Sequence, residues 1–202
     1  MAAGRRVEKR EDLKRRLIDA AEVRIGKSGL AALRARDLAE DAGCALGAIY
    51  NAFEDMDDLI LRVNARTLAR LGQMASGTGA SDPGARLKEL ALAYAAFASE
   101  NTNLWAAIFE HRMAGDRPTP EWYLQENAVL IEQIVKPVAK LRPGLAQREL
   151  LVRARTLFSA VHGIVTISIE NRFVGIPAAN LKAELERFVD VLVTGIEGTP
   201  DR

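Results

Sequence analysis

Arg36, Tyr50 and Asn51 are the side chains of this sequence best suited to recognition chemistry. A guanidinium can hold a phosphate or pair with a guanine edge, a carboxamide can pair with adenine, and a phenol can position a phosphate. All three fall in the stretch ARDLAEDAGCALGAIYNAF, residues 35–53. Within it, Leu38, Ala39, Ala42 and Ile49 recur at helical spacing. Gly43 stands where the chain must reverse, and glycine reaches positive φ without steric cost. The pattern predicts a short helix, a turn and a second short helix, the unit that lays its second helix in the DNA major groove. That second helix offers Ala45, Leu46, Ala48, Tyr50, Asn51 and Ala52 to a partner. Leu46 and Ala48 suit a thymine methyl, Asn51 suits adenine, and Arg36 suits guanine or phosphate.

Charge is distributed to match. The formal net charge is only +1, yet residues 1–36 carry eleven basic against five acidic side chains. Arg5, Arg6, Lys9 and Arg10 form the most basic part of that arm. Such a local patch attracts phosphate even on a near-neutral protein. Residues 37–58 carry seven acids and no base. Of these, Glu54, Asp55, Asp57 and Asp58 would lie near bound phosphates, or serve the positive end of the helix that follows.

Gly29-Leu30, Arg36, Leu38-Ala39, Ala42-Gly43, Gly47, Ile49-Tyr50, Phe53 and Leu59 together resemble the N-terminal DNA-binding domain of the TetR family of bacterial transcriptional regulators. The resemblance runs over about residues 13–68 and implies that Tyr50 is a phosphate-binding tyrosine. A second stretch, Leu104 through Arg112, then Trp122-Tyr123, then Phe158 through His162-Gly163, is similar to the C-terminal domain class named for a Trp…His-Gly signature. Phe158 stands where that class has tryptophan. Other departures are Arg34 and Ala45, where the family has side-chain N-caps worth roughly 1 kcal/mol each, and Ala52 and Met56, where it often has basic or aromatic residues.

The positioning elements are helical almost throughout, with no alternating strand-like run. Helices are expected at about 8–27, 35–42, 46–52, 56–75, 85–100, 104–113, 121–141, 147–172 and 180–195. Gly77 to Gly84 is the clearest breaker cluster, and Pro137 should kink or end the seventh helix. The expected fold is all-α, a three-helix helix-turn-helix domain followed by a helical bundle. Its expected parts are a DNA-binding domain at 1–55, a connecting helix and loop at 56–82, and a sensing and dimerisation domain at 83–202. The helices near 147–172 and 180–195 are apolar over more than one face and need cover on two sides. The resemblance implies a symmetric homodimer through them.

Aromatic side chains recur at helical spacing in the C-terminal part. Tyr94 with Phe97, Trp105 with Phe109, adjacent Trp122 and Tyr123, and Phe158 with His162 are the candidate lining of a small-molecule pocket. For any single one of them, plain core packing is the simpler account. His111, between Glu110 and Arg112, is expected to face solvent.

Two histidines and one cysteine lie far apart, with no metal-ligand or nucleophile spacing, so neither an enzyme nor a cofactor is expected. Cys44 reads as a small buried hydrophobe. No signal-peptide pattern and no apolar run of membrane-spanning length stands out, which predicts a cytoplasmic protein. The functional expectation is a repressor released from a palindromic operator by a small apolar or amphipathic effector. The alternative is a regulator-like protein that has lost sequence-specific DNA binding and works through protein contacts.

Overall fold

A computed structural model describes residues 2–76, 79–115, 117–170 and 174–198, and only the backbone of residues 2, 3, 5, 6, 197 and 198. Every regular element among the described residues is helical. They are α1 (Ala2–Ser28), a 3-10 turn (Leu30–Ala32), α2 (Ala35–Asp41), α3 (Leu46–Ala52), α4 (Met56–Ser76), α5 (Pro83–Glu100), α6 (Thr102–Glu110), α7 (Glu121–Leu141), α8 (Gln147–Ile169) and α9 (Ala178–Gly198). The bounds of α3 and α7 coincide with the expected ones. α1 starts well ahead of residue 8, and α6 stops short of 113. The end expected for α8 at 172 lies outside the described residues.

The chain forms two compact units. One takes the chain up to Thr67 together with Asn101–Tyr123, and the other takes Leu68–Glu100 with the chain from Leu124 onward. The boundaries drawn from the sequence at 55 and 82 differ from this division. Apolar packing explains the difference, because Leu104 and Ala107 of α6 are buried in the same core as Leu17, Leu38, Ile49 and Leu59. Polar bonds fix α6 there. Asn64 of α4 is 1% exposed and donates from Nδ2 to the Ala107 carbonyl at 3.0 Å. Asn103 donates to the Gly26 carbonyl at 2.9 Å.

Two glycines shape the first unit. Gly29 and Gly43 have φ of 78° and 60°, in the left-handed region that side chains resist. Gly43 closes α2, with its N–H donating to the Glu40 carbonyl at 3.0 Å. Neither Arg34 nor Ala45, the N-caps of α2 and α3, supplies a side-chain cap. These short helices are therefore held mainly by their buried faces, Leu38 and Ala39 on one and Ile49 and Ala52 on the other.

In the second unit α5 packs on α9 and α8, and α8 packs on α9. The α5–α9 contact is close at Gly84, where an added Cβ would lie 3.1 Å from Val193 Cγ1. Arg142 is buried and donates from Nη1 to the Ile196 carbonyl at 2.9 Å, tying the end of α7 to α9. α7 runs through Pro137 rather than ending there. Lacking an N–H, this proline deprives the Gln133 carbonyl of its helical donor. α8 corrects one expectation, because its length and composition would suit a membrane span. Arg153 and Arg155 fall within it, and Leu150, Ala154, Val161 and Val165 are its buried residues.

Candidate DNA-reading surface and effector cavity

α3 divides cleanly between core and surface. Ile49 and Ala52 are buried at 0% and 2% exposure, while Ala45, Leu46, Tyr50 and Asn51 are exposed and Ala48 is half-buried. Ala52 was counted among the available side chains, but the helical repeat turns it inward beside Ile49 and Phe53. Arg36 is exposed near the start of α2. Arg5 and Arg6 fall on α1, with side chains outside the described residues. Cys44 is partly buried and packs against the core.

Much of the basic arm is already engaged. Arg24 meets Asp41 at 2.6 Å and Asp37 at 3.4 Å, which joins α1 to α2. Arg16 donates to the Ala42 carbonyl at 2.8 Å, and Arg66 pairs with Asp19 and Glu22. Lys9, Arg10, Lys27 and Arg36 are exposed and make no ion pair among the described residues. Those four are described side chains available to phosphate.

The acidic run after α3 is not bare. Asp55 accepts the Asp58 N–H at 2.9 Å and so caps α4. Arg117 binds both Asp55 and Asp57, and Asp57 also accepts the Ala114 N–H at 2.9 Å. Burial would raise the Asp55 pKa, but the Asp58 N–H and the Arg117 guanidinium outweigh it and hold the carboxyl below its ordinary value. His111 does not face solvent as expected. Its side chain is 7% exposed, with Nε2 3.6 Å from Asp57 Oδ1. Burial pushes its pKa down against the pull of Asp57 and Asp55 in the other direction. Nothing in the sequence pattern marks Arg117 as the partner of residues about sixty positions away.

The eight aromatic and histidine candidates separate into two groups. Trp105, Phe109, Trp122 and Tyr123 belong to the first unit. There Trp105 and Phe109 meet edge to face at 5.6 Å, and the Arg62 guanidinium lies 4.8 Å above the Trp122 ring. Tyr94, Phe97, Phe158 and His162 belong to the second unit. Phe97 is core at 2% exposure.

Tyr94 and Phe158 line a cavity of about 90 Å³ enclosed by α4, α5, α7, α8 and α9. Leu71, Leu87, Leu130 and Val189 make its walls apolar, and Gln133 is the other polar side chain. The aliphatic walls escaped the aromatic-based reading, although Leu87, Leu90, Ala91 and Tyr94 recur on one face of α5.

His162 backs the cavity. Its ring stacks on Phe158 at 5.6 Å and 18°, and its Nδ1 lies 2.7 Å from the Tyr94 hydroxyl. Thr166 donates its hydroxyl to the His162 carbonyl at 2.7 Å, leaving its oxygen to accept Nε2–H at 3.4 Å. This arrangement suits the tautomer with Nδ1 as the acceptor and the Tyr94 hydroxyl as its donor. Burial pushes the His162 pKa down, in keeping with a neutral ring.

Two family models match the chain. Residues 17–63 match the bacterial regulatory proteins of the tetR family, and residues 87–192 match the tetracyclin repressor-like C-terminal domain. The chain belongs to the TetR family. The TetR C-terminal match carries no Trp…His-Gly label, so that narrower class rests on the motif alone.

Solved structures share this TetR fold. A protein with unknown function from Rhodococcus sp. RHA1 is 24% identical with a TM-score of 0.72, covering 91% of this chain and 94% of that one. A TetR variant from Acinetobacter baumannii AYE in complex with minocycline is 21% identical with a TM-score of 0.64, covering 90% and 94%. RolR in complex with resorcinol is 16% identical with a TM-score of 0.67, covering 97% and 98%. No curated protein matches the chain significantly. Among the described residues no three His, Cys, Asp or Glu side chains group as metal ligands.

Proposed function

We propose that this TetR-family protein is a cytoplasmic, homodimeric repressor, released from a palindromic operator by a small apolar or amphipathic effector. The observation that carries the reading is one chain holding two features: an exposed face on the anchored helix α3, and an apolar cavity with two polar tips. Leu46, Ala48, Tyr50 and Asn51 would meet DNA from α3, supported by Ala45, Arg36 and the arm with Arg5 and Arg6. Tyr94 and Phe158 would meet the effector, with His162 holding Tyr94. Two structural neighbours of the same fold are complexes with minocycline and resorcinol, which is in keeping with a small-molecule effector.

Dimerisation would use α8 and α9. Val152, Ile167 and Val191 remain exposed there at 58%, 37% and 70%, after Val165, Leu185 and Val189 have been buried within the chain. A two-fold dimer reads two half-sites about one helical turn apart. An effector releases DNA only if it binds the non-reading arrangement of the two recognition helices more tightly than the reading one. α4 and α7 each continue from one compact unit into the other, and the chain also crosses at Glu100–Asn101, so these are covalent routes for that coupling.

Fluorescence-anisotropy titration with the DNA upstream of the gene, against scrambled DNA and at two salt concentrations, tests the reading. Tight, selective and salt-sensitive binding is expected. Equal affinity for scrambled DNA would favour the alternative, a regulator acting through protein contacts. Arg117 pairs with two carboxylates of the acidic run after α3, which reduces the repulsion that run would exert on bound phosphate.

A further inference from the structure

The apolar cavity of the second unit adjoins a second pocket, of about 270 Å³. Three stretches of chain pass from one to the other. On α7, Leu130 and Ile134 line the cavity, Lys136 and Lys140 line the second pocket, and Gln133 lines both. On α5, Leu87 and Leu90 face the cavity, while Arg86 and Pro83 face the second pocket. Ala75, near the end of α4, faces the cavity, and Gly79 to Ser81 beyond that helix face the second pocket. From Leu130 to Lys140 the lining therefore changes from hydrocarbon to cation over roughly 15 Å of helix.

Among the described residues no carboxylate lines this second pocket, although Glu89 behind it accepts the Ala80 N–H at 3.4 Å. Arg86 is turned toward Glu89 and the Ala75 carbonyl. Lys136 and Lys140 are exposed and make no ion pair among the described residues. They stand one turn apart on one face of α7, and like charges so placed repel unless an anion lies between them. The groove on the other side of Gln133 has the opposite character, with Glu126 and no cation in its lining.

We propose that the effector is an anionic amphiphile. Its hydrocarbon body fills the cavity beside Tyr94 and Phe158, and its carboxylate or phosphate head passes Gln133 to meet Lys136 and Lys140. This rests on the reading of the cavity as the effector site.

Isothermal titration of the full chain with octanoate, octyl phosphate, octanol and octyltrimethylammonium, all below micelle-forming concentrations, tests it. The comparison of octanoate with octyl phosphate tells which head is preferred. At least one anion is expected to bind about tenfold or more tightly than octanol, because each adds charge-assisted hydrogen bonds. The double variant K136A/K140A should abolish that preference and leave octanol affinity unchanged. Ala91→Phe fills the cavity and should abolish binding of all four, with Leu90→Trp used if circular dichroism shows the first variant unfolded.

Equal binding of octanol and both anions, or a preference unchanged in K136A/K140A, overturns the head assignment. The cavity reading survives that result if Ala91→Phe still removes octanol binding. Preference for octyltrimethylammonium overturns the assignment in favour of the Glu126 groove. No binding of any of the four to the parent protein, or binding that both cavity-filling variants leave intact, overturns the cavity reading and the proposal with it.

Discussion

The Tyr94 hydroxyl donates to His162 Nδ1 across 2.7 Å, so the polar tip that α5 presents to the cavity is held from behind by α8. Tyr94→Phe removes that hydrogen bond to a half-buried ring nitrogen. The expected loss is about 1 kcal/mol of unfolding free energy, the range for one hydrogen bond. Urea denaturation measures it. A variant as stable as the parent would mean that water replaces the hydroxyl without cost.

Acid should destabilise this protein before its carboxylates titrate. Burial holds His162 below its ordinary value of 6.5, and burial likewise lowers His111 against the opposing pull of Asp57 and Asp55. As the pH falls through that ordinary value, unfolded chains take up protons that folded chains resist. The unfolded state then binds more protons, and stability falls with pH. Thermal midpoints are expected to drop between about pH 7.5 and about pH 5.5. His162→Gln should flatten that part of the curve. An unchanged slope would assign the effect to other groups.

The helix-turn-helix was legible because its information is local. Leu38, Ala39, Ile49, Phe53 and Leu59 declare a buried face by spacing alone, and all five are buried. Gly43 declares its turn by lacking a side chain. That α6 packs in the first unit is not legible locally, because its position depends on Asn64 and Gly26, far away in sequence. His111 reads as solvent-facing because its neighbours in sequence are charged, whereas in space its side chain is buried beside Asp57. The cavity was half legible, since Tyr94 and Phe158 line it. Nothing in the aromatic pattern separates them from Trp105 and Trp122, which pack in the other unit.

Gly43→Ala isolates a backbone effect. An added Cβ would meet nothing within 4 Å, so space is not at issue, but φ is 60°. A side chain in that region costs about 1 kcal/mol or more. The substitution should lower the thermal midpoint and weaken DNA binding together, because both depend on the angle between α2 and α3. Circular dichroism melting and anisotropy measure the two. A loss of binding with no loss of stability would instead make Gly43 a contact position.

Arg117→Ala should separate charge from stability. Its guanidinium is exposed, so the fold should lose little, and chiefly through Asp57, whose side chain is 13% exposed. DNA affinity should fall, because two carboxylates close to the recognition helix lose their counter-charge. The effect should be largest at low salt and fade as salt screens it. Affinity unchanged at low salt would place these acids away from bound phosphate.

Arg36→Ala and Tyr50→Phe test the recognition face itself. Both residues are exposed, and Arg36 is free of ion pairs among the described residues, so neither substitution should alter folding. Loss of a guanidinium contact should weaken operator binding by roughly tenfold, as expected for 1–3 kcal/mol at a base edge. If Arg36 instead holds a phosphate, binding should weaken equally on all sequences, and the salt slope should fall by about one. Tyr50→Phe removes a single hydroxyl and should cost less, without changing sequence preference, because a phosphate contact positions the protein rather than reading bases. Anisotropy titrations with operator and scrambled DNA at several salt concentrations distinguish these outcomes. Full affinity in both variants would move the DNA contact off this face of the domain.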